Sequence, residues 1–403
     1  MTDDQPLSQR TGAPQPNRLY FLDNLRATVI VFVVVLHTFL SYMVYAPPWW
    51  YVLDPARSVF FDWAVILIDV PLMPVLFFLA GFFALPSLER RGAGAFMRDK
   101  VVRIGIPWII GVLFLAPLIT YMIYVSRQVP VSFAQFWTTE FWGAMYQQAV
   151  YWFLGVLFVF YALLSAGYDE SARLRAWQRV LRAPSWRHFL GFGAIVTVAF
   201  FLLSLWWTPD DWRHVWFLVY QPVRFPLYIG YFCLGLYADR RGWFAPGGYA
   251  PGIDRWLPIF LVAGLLYAGH IMLQLFGPPE TLWYQVVTAV LFNAFCLAAL
   301  MAGLSLFRAS VNSRGRNWRS LARNSYGIYY LHPLILYPLA YLFVAFPLPV
   351  YLKAAALIAL TLLACWTLSE FVLTRAPGLR RAFGPGSAVR HGQHGPRPAD
   401  EHG

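Results

Sequence analysis

The chain has 403 residues, of which 59% are hydrophobic, 19% aromatic and 12% charged. A soluble domain carries roughly 25% charge, so this composition excludes a water-soluble globular protein: there are too few polar side chains to cover a surface, and most of the chain must face lipid. The charge is lopsided, 31 Lys+Arg against 19 Asp+Glu for a formal net charge of +12, a balance that suggests nucleic acid in a soluble protein and here has to be located along the chain first.

Residues 1–18 are polar, with Asp3, Asp4, Pro6, Pro14 and Pro16; they read as a disordered N-terminus and not as a cleaved signal. Ten apolar runs follow, at 19–45, 59–85, 101–125, 149–168, 189–207, 215–238, 256–276, 283–307, 326–346 and 351–373. Each is long enough to cross a hydrocarbon core of about 30 Å as a helix. Period-2 alternation is absent, and the runs exceed the roughly 9–11 residues of a tilted barrel strand. The expected fold is an all-α polytopic membrane protein of about ten transmembrane helices, with residues 19–374 as one transmembrane domain. Cys233, Cys296 and Cys365 fall inside these runs, where packing is the expected role of a thiol. Residues 375–403 form a Gly/Pro-rich tail that reads as largely disordered. Its His391, His394 and His402 invite a metal reading, but a terminus of this composition offers no fixed geometry, and no metal site is expected.

Ten spans put every second loop on the same side, and the side richer in Lys/Arg is the cytoplasmic one. The N-terminus, the loops after the second, fourth, sixth and eighth spans, and the tail hold 25 basic residues, against Arg57, Arg127, Arg213 and Lys353 on the other side. Both termini are therefore expected in the cytoplasm. Most of the basicity orients the chain in its bilayer, which removes the nucleic-acid reading.

Ionisable groups inside spans are costly, at least about 2.5–3.5 kcal/mol for a charge at the helix centre, and so are candidates for function. They are Asp23, Arg26 and His37 in the first span, Asp62 and Asp69 in the second, Arg224 in the sixth, His270 in the seventh, His332 in the ninth and Glu370 in the tenth. Arg26 and His37 are eleven residues apart. Eleven steps of a helix return to within roughly 20° of the start and rise roughly 16 Å. The two side chains therefore share a face, Arg26 near the cytoplasmic end and His37 beyond the midplane. Asp23 precedes Arg26 by one turn and can pair with it. A neutral imidazole in apolar surroundings can take a hydroxyl proton and return it, as acyl transfer to an alcohol requires. The alternative is an interhelical hydrogen bond for His37 and a snorkelling anchor for Arg26.

Arg26 and His37, with ten residues between them, resemble the first-helix signature of the acyltransferase 3 family, bacterial membrane enzymes that O-acylate cell-surface and periplasmic glycans. The segments 77–83 and 96–107 resemble the family's second helix and the basic start of its third, Trp152-Phe153-Leu154 its fourth helix, and Asn324-Ser325-Tyr326-Gly327 running to His332-Pro333 its ninth. The likeness covers residues 18–383, and Arg375-Ala376-Pro377-Gly378 with the residues after it looks most like the glucan biosynthesis protein C branch, which implies succinylation of periplasmic glucans. Lys100 departs from the family's Arg-x-x-Arg pattern, closed here by Arg103; a lysine keeps the charge and loses the bidentate fork.

The resemblance implies an enzyme of the bacterial inner membrane with no bound cofactor. Acyl-CoA (acetyl-CoA or succinyl-CoA) is its donor, a glycan or glucan hydroxyl its acceptor, and other glycan-synthesis membrane proteins its partners. On this reading His37 is the general base, with Arg26 on the same face. Arg98, Lys100 and Arg103 face the phosphates of CoA, Arg90 and Arg91 being further cations there. His332, Arg224, Trp152 and Asp23 are expected to position substrate, with structural alternatives for each. His332 has a hydrogen bond as its alternative, and counting two turns from Asn324 makes it shallower than His37. Arg224 lies between Pro222 and Pro226 and has an ion pair with Asp62, Asp69 or Glu370 as its alternative; Trp152 has the interfacial belt. Buried charges on broken helices also suit a secondary transporter of a small polar or anionic solute, and a regulatory membrane subunit is a third reading.

Overall fold

The computed structural model describes residues 19–274, 281–313 and 315–384; His391, His394 and His402 lie outside the described residues, as do residues 1–18. Among the described residues nine helices are long and apolar enough to cross a membrane. They are α1 (Tyr20–Leu40), α2 (Val59–Arg91), α3 (Ala93–Ser126), α4 (Ala149–Glu170) and α5 (Trp186–Ser204), and, after a hairpin and a shorter helix α6, α7 (Ile253–Gln274), α8 (Leu282–Ser310), α9 (Arg316–Val344) and α10 (Val350–Leu373).

The run at 215–238 is corrected in extent. Its first part is the antiparallel hairpin of β1 (Arg213–Val215) and β2 (Leu218–Tyr220), and the helix α6 (Phe225–Arg240) has only 16 residues. Proline at 222 disfavours α geometry in the residue before it, and Pro226 sits in the first turn, where its missing N–H is harmless. Arg224 is consequently the N-cap of α6 and not a mid-span residue.

α1 lies at the centre, packed against α2, α8, α9 and α10. α2 and α6 form another close pair, brought backbone to backbone by glycine. A Cβ on Gly81 would lie 2.0 Å from the Phe232 carbonyl oxygen, and one on Gly235 would lie 2.2 Å from that of Phe78. Small residues allow this approach in lipid, where packing rather than hydrophobicity drives helix association. α3 is composite, with π-helical turns at Val101–Gly105 and Gly111–Leu115.

Polar contacts between distant segments respect the two-sided partition of the loops. On the basic side Arg240 pairs with Glu89, Arg323 with Glu370, and Asn24 donates to the Val311 carbonyl. On the opposite side Lys353 pairs with Asp54 at 2.8 Å, Arg127 donates to the Pro48 and Trp50 carbonyls, and Tyr51 donates to Gln147. Asp62 accepts from the Val44 and Tyr45 amides at 3.0 and 2.9 Å, fixing the loop after α1 against the start of α2.

Candidate active site

His37 lies in the last turn of α1, its Nδ1 2.7 Å from the Val33 carbonyl oxygen. A carbonyl only accepts, so this hydrogen bond assigns the ring proton to Nδ1 and leaves the lone pair on Nε2. His332 on α9 is held in the same way, its Nδ1 2.8 Å from the Tyr329 carbonyl oxygen. Pro333 creates that opportunity: it has no N–H to offer the carbonyl four residues earlier, which is that of Tyr329. The two imidazoles are 5.0 Å apart by ring centroids. His332 is fully buried, and its Nε2 has no hydrogen-bond partner among the described residues.

His37 stacks on Trp50 at 5.8 Å and opens into a cavity of about 670 Å³ on the side opposite the basic loops. Six tryptophans line it: Trp49, Trp50, Trp152, Trp206, Trp207 and Trp212. Trp152 is buried and meets Trp212 edge-on at 5.2 Å and Tyr228 at 5.4 Å. The wall opposite His37 is organised by Arg224. Its Nη1 is 2.5 Å from Asp69, its Nη2 2.7 Å from Asp210, and its Nε donates to the Pro209 carbonyl at 3.0 Å. Of the partners considered from the sequence, Asp69 is therefore the one used, while Asp62 caps backbone amides and Glu370 binds Arg323 and Asn324. Arg224 ties the segment carrying Trp206 through Trp212 to α2.

A second, cationic cavity of about 270 Å³ lies on the basic side, lined by Arg90, Arg91, Lys100, Arg103, Asp99 and Tyr161 among others. Asp99 is shared by Arg91 and Arg103 at 3.1 Å each. Lys100 Nζ stands 4.3 Å from the Tyr161 ring centroid, and Arg103 also donates to the Gly384 carbonyl at 3.0 Å. The two cavities have no lining residue in common.

The predicted residues distribute as follows. His37, Arg224 and Trp152 line the tryptophan cavity, and His332 stands behind His37 without lining it. Lys100 and Arg103 line the cationic cavity; Arg98 is exposed and lies outside it. Arg26 and Asp23 pair at 3.2 Å and line neither cavity. The depth expected for His332 is corrected by its contact with His37. His270 bonds Thr288 at 2.9 Å and stacks on Tyr284.

Trp50, Asp210 and the segment 206–212 were not singled out from the sequence. The signal was present in Trp206-Trp207-Thr208-Pro209-Asp210-Asp211-Trp212, where indoles and carboxylates alternate with turn residues; rings with neighbouring acceptors are a common setting for a polyhydroxyl ligand.

A family model described as an acyltransferase domain matches residues 19–370. No curated protein and no solved structure matches the chain.

Proposed function

Because the chain belongs to the acyltransferase 3 family and is a membrane acyltransferase, we propose that it moves an acetyl or succinyl group from cytoplasmic acyl-CoA to a hydroxyl of a periplasmic or cell-surface glycan, with His37 as the general base. The observation that carries this reading is the position of His37, an imidazole held through Nδ1 by the Val33 carbonyl and lining a tryptophan-walled cavity at the opposite end of α1 from a cluster of cations. The cations Arg90, Arg91, Lys100 and Arg103 suit the phosphates of CoA. Six indoles suit the apolar faces of sugar rings.

In this mechanism the pantetheine arm runs along α1, past Arg26, over the roughly 16 Å that separates the depths of Arg26 and His37. His37 Nε2 takes the proton of the acceptor hydroxyl as its oxygen attacks the thioester carbonyl. The C–O bond forms, the C–S bond breaks, and the imidazolium returns the proton to the departing thiolate. No covalent acyl-enzyme is required. The two cavities share no lining residue among those described, so this mechanism requires a path for the arm between them. The prolines Pro71 and Pro74 of α2 and the π-turns of α3 are the points at which helix backbone is already loosened.

The test is His37→Ala in the source cells, with glycans examined by mass spectrometry. Loss of the glycan ester, with membrane insertion and protein level unchanged, is expected. Full esterification in that variant would remove His37 from the chemistry.

A further inference from the structure

We infer that the tryptophan cavity accepts an uncharged short acyl group and a neutral acceptor, and discriminates against an acyl chain that ends in a carboxylate. The inference rests on the reading of His37 and this cavity as the transfer site. A succinyl thioester with its carbonyl at His37 would have to place its free carboxylate in the cavity, and the charges there are already set. Arg224 is the one cation among the described lining residues, against Asp69, Asp210 and Asp211. Arg224 is not available as a receptor: it is engaged by Asp69 at 2.5 Å, Asp210 at 2.7 Å and the Pro209 carbonyl at 3.0 Å. With His37 neutral, the lining carries two net negative charges.

Asp210 is 80% exposed in the cavity, where solvent reaches its carboxyl group. Even with Asp210 protonated, one net negative charge remains, because Asp211 is outside Arg224's ion pairs and accepts from the Thr208 amide at 2.8 Å. On the same side, Arg127 is turned to the Pro48 and Trp50 carbonyls, and Arg213 on β1 is exposed and lies outside the cavity lining. A further carboxylate entering this space meets net negative charge with no unpaired cation among the described lining residues to offset it, whereas an acetyl group brings no charge into it.

The experiment uses inverted membrane vesicles from cells producing the full chain, which expose the donor face and enclose the native glycan. Radiolabelled acetyl-CoA and succinyl-CoA are supplied separately at equal concentration, and label in glycan is measured. Acetyl is expected to transfer at least about tenfold faster than succinyl, the ratio set by roughly one like charge at several ångströms in a partly open cavity. Asp211→Asn is expected to narrow the ratio about threefold or more. Succinyl transfer equal to or faster than acetyl overturns the inference. So does a ratio unchanged in Asp211→Asn, which would put the selection at the donor end. No glycan label from either donor instead overturns the transfer reading beneath it.

Discussion

Replacing Arg224 by glutamine, alone and with each of its carboxylate partners, tests how the tryptophan wall is held. Arg224 is 9% exposed, Asp69 36% and Asp210 80%. Removing one partner of a fully buried ion pair costs about 3–5 kcal/mol, because the survivor is left without compensation. Exposed pairs contribute about 0.2–1 kcal/mol. Asp69 is a third open to the cavity, so the Arg224–Asp69 coupling falls between these limits at about 2 kcal/mol. Asp210 is mostly open to the cavity, and its coupling to Arg224 should be about 0.5 kcal/mol despite the similar distance.

The assay is a pair of double-mutant cycles, Arg224→Gln with Asp69→Asn and Arg224→Gln with Asp210→Asn. Unfolding is followed by tryptophan fluorescence in mixed micelles. An Asp69 coupling within the roughly 0.3–0.5 kcal/mol scatter of independent sites, or an Asp210 coupling larger than that of Asp69, would refute the assignment of Arg224 as a pin between α2 and the segment 206–212.

Gly235→Val should abolish recovery of folded protein by size exclusion, since its Cβ alone would stand 2.2 Å from the Phe78 carbonyl oxygen and neither backbone can yield. Lys353→Met should destabilise by about 3–5 kcal/mol by stranding buried Asp54; adding Asp54→Asn should recover the greater part, read in the same unfolding assay. Arg90→Ala should raise the KM for acyl-CoA about tenfold with little change in kcat, the loss of about one charged hydrogen bond. Arg98→Ala, outside the cationic cavity, should leave both unchanged in the same vesicle assay.

The periodicity of α1 was legible because Arg26, His37 and the apolar residues between them sit on one uninterrupted helix, where spacing alone determines which side chains share a face. The position of His332 was not, because α9 begins at Arg316, eight residues before the apparent membrane edge at Asn324. Asn324 reads as a loop residue at the membrane edge, but it is fully buried and bonded to Glu370 at 2.7 Å. α9 begins at Arg316, so His332 is 16 residues into its helix, against 17 from Tyr20 to His37 in α1. Two helices entering from the same side thus carry their imidazoles to the same depth, roughly 24–26 Å along each axis. Arg98 was legible and missed. Five residues separate it from Arg103, which turns it roughly 140° away on an ideal helix, whereas Lys100 is only about 60° from Arg103. Asp69 was one of three carboxylates the spans offered to Arg224, whereas Asp210 lay beyond any such rule, because its place depends on where a loop 14 residues earlier folds back over α2.

The net charge of +12 is distributed in a way that bears on the direction of the proposed reaction. The cationic cavity and the basic loops lie on one side, and the cavity around His37 carries more carboxylates than cations on the other. A polyanion such as CoA is attracted to the first and repelled from the second, so its nucleotide stays at the basic mouth while only the uncharged arm and acyl group advance. After transfer, the free thiol has no charge to hold it near His37, and the phosphates still anchor the molecule where it came from. In the proposed reaction, the asymmetry that orients the helices in the bilayer therefore also holds the spent donor on the basic side. It places the burden of moving the acyl group on a path along α1 that must open between two cavities with no common wall. The segments able to yield are those where proline and π-turns have already interrupted the helical hydrogen bonds: α2 around Pro71 and Pro74, and α3 between Val101 and Leu115.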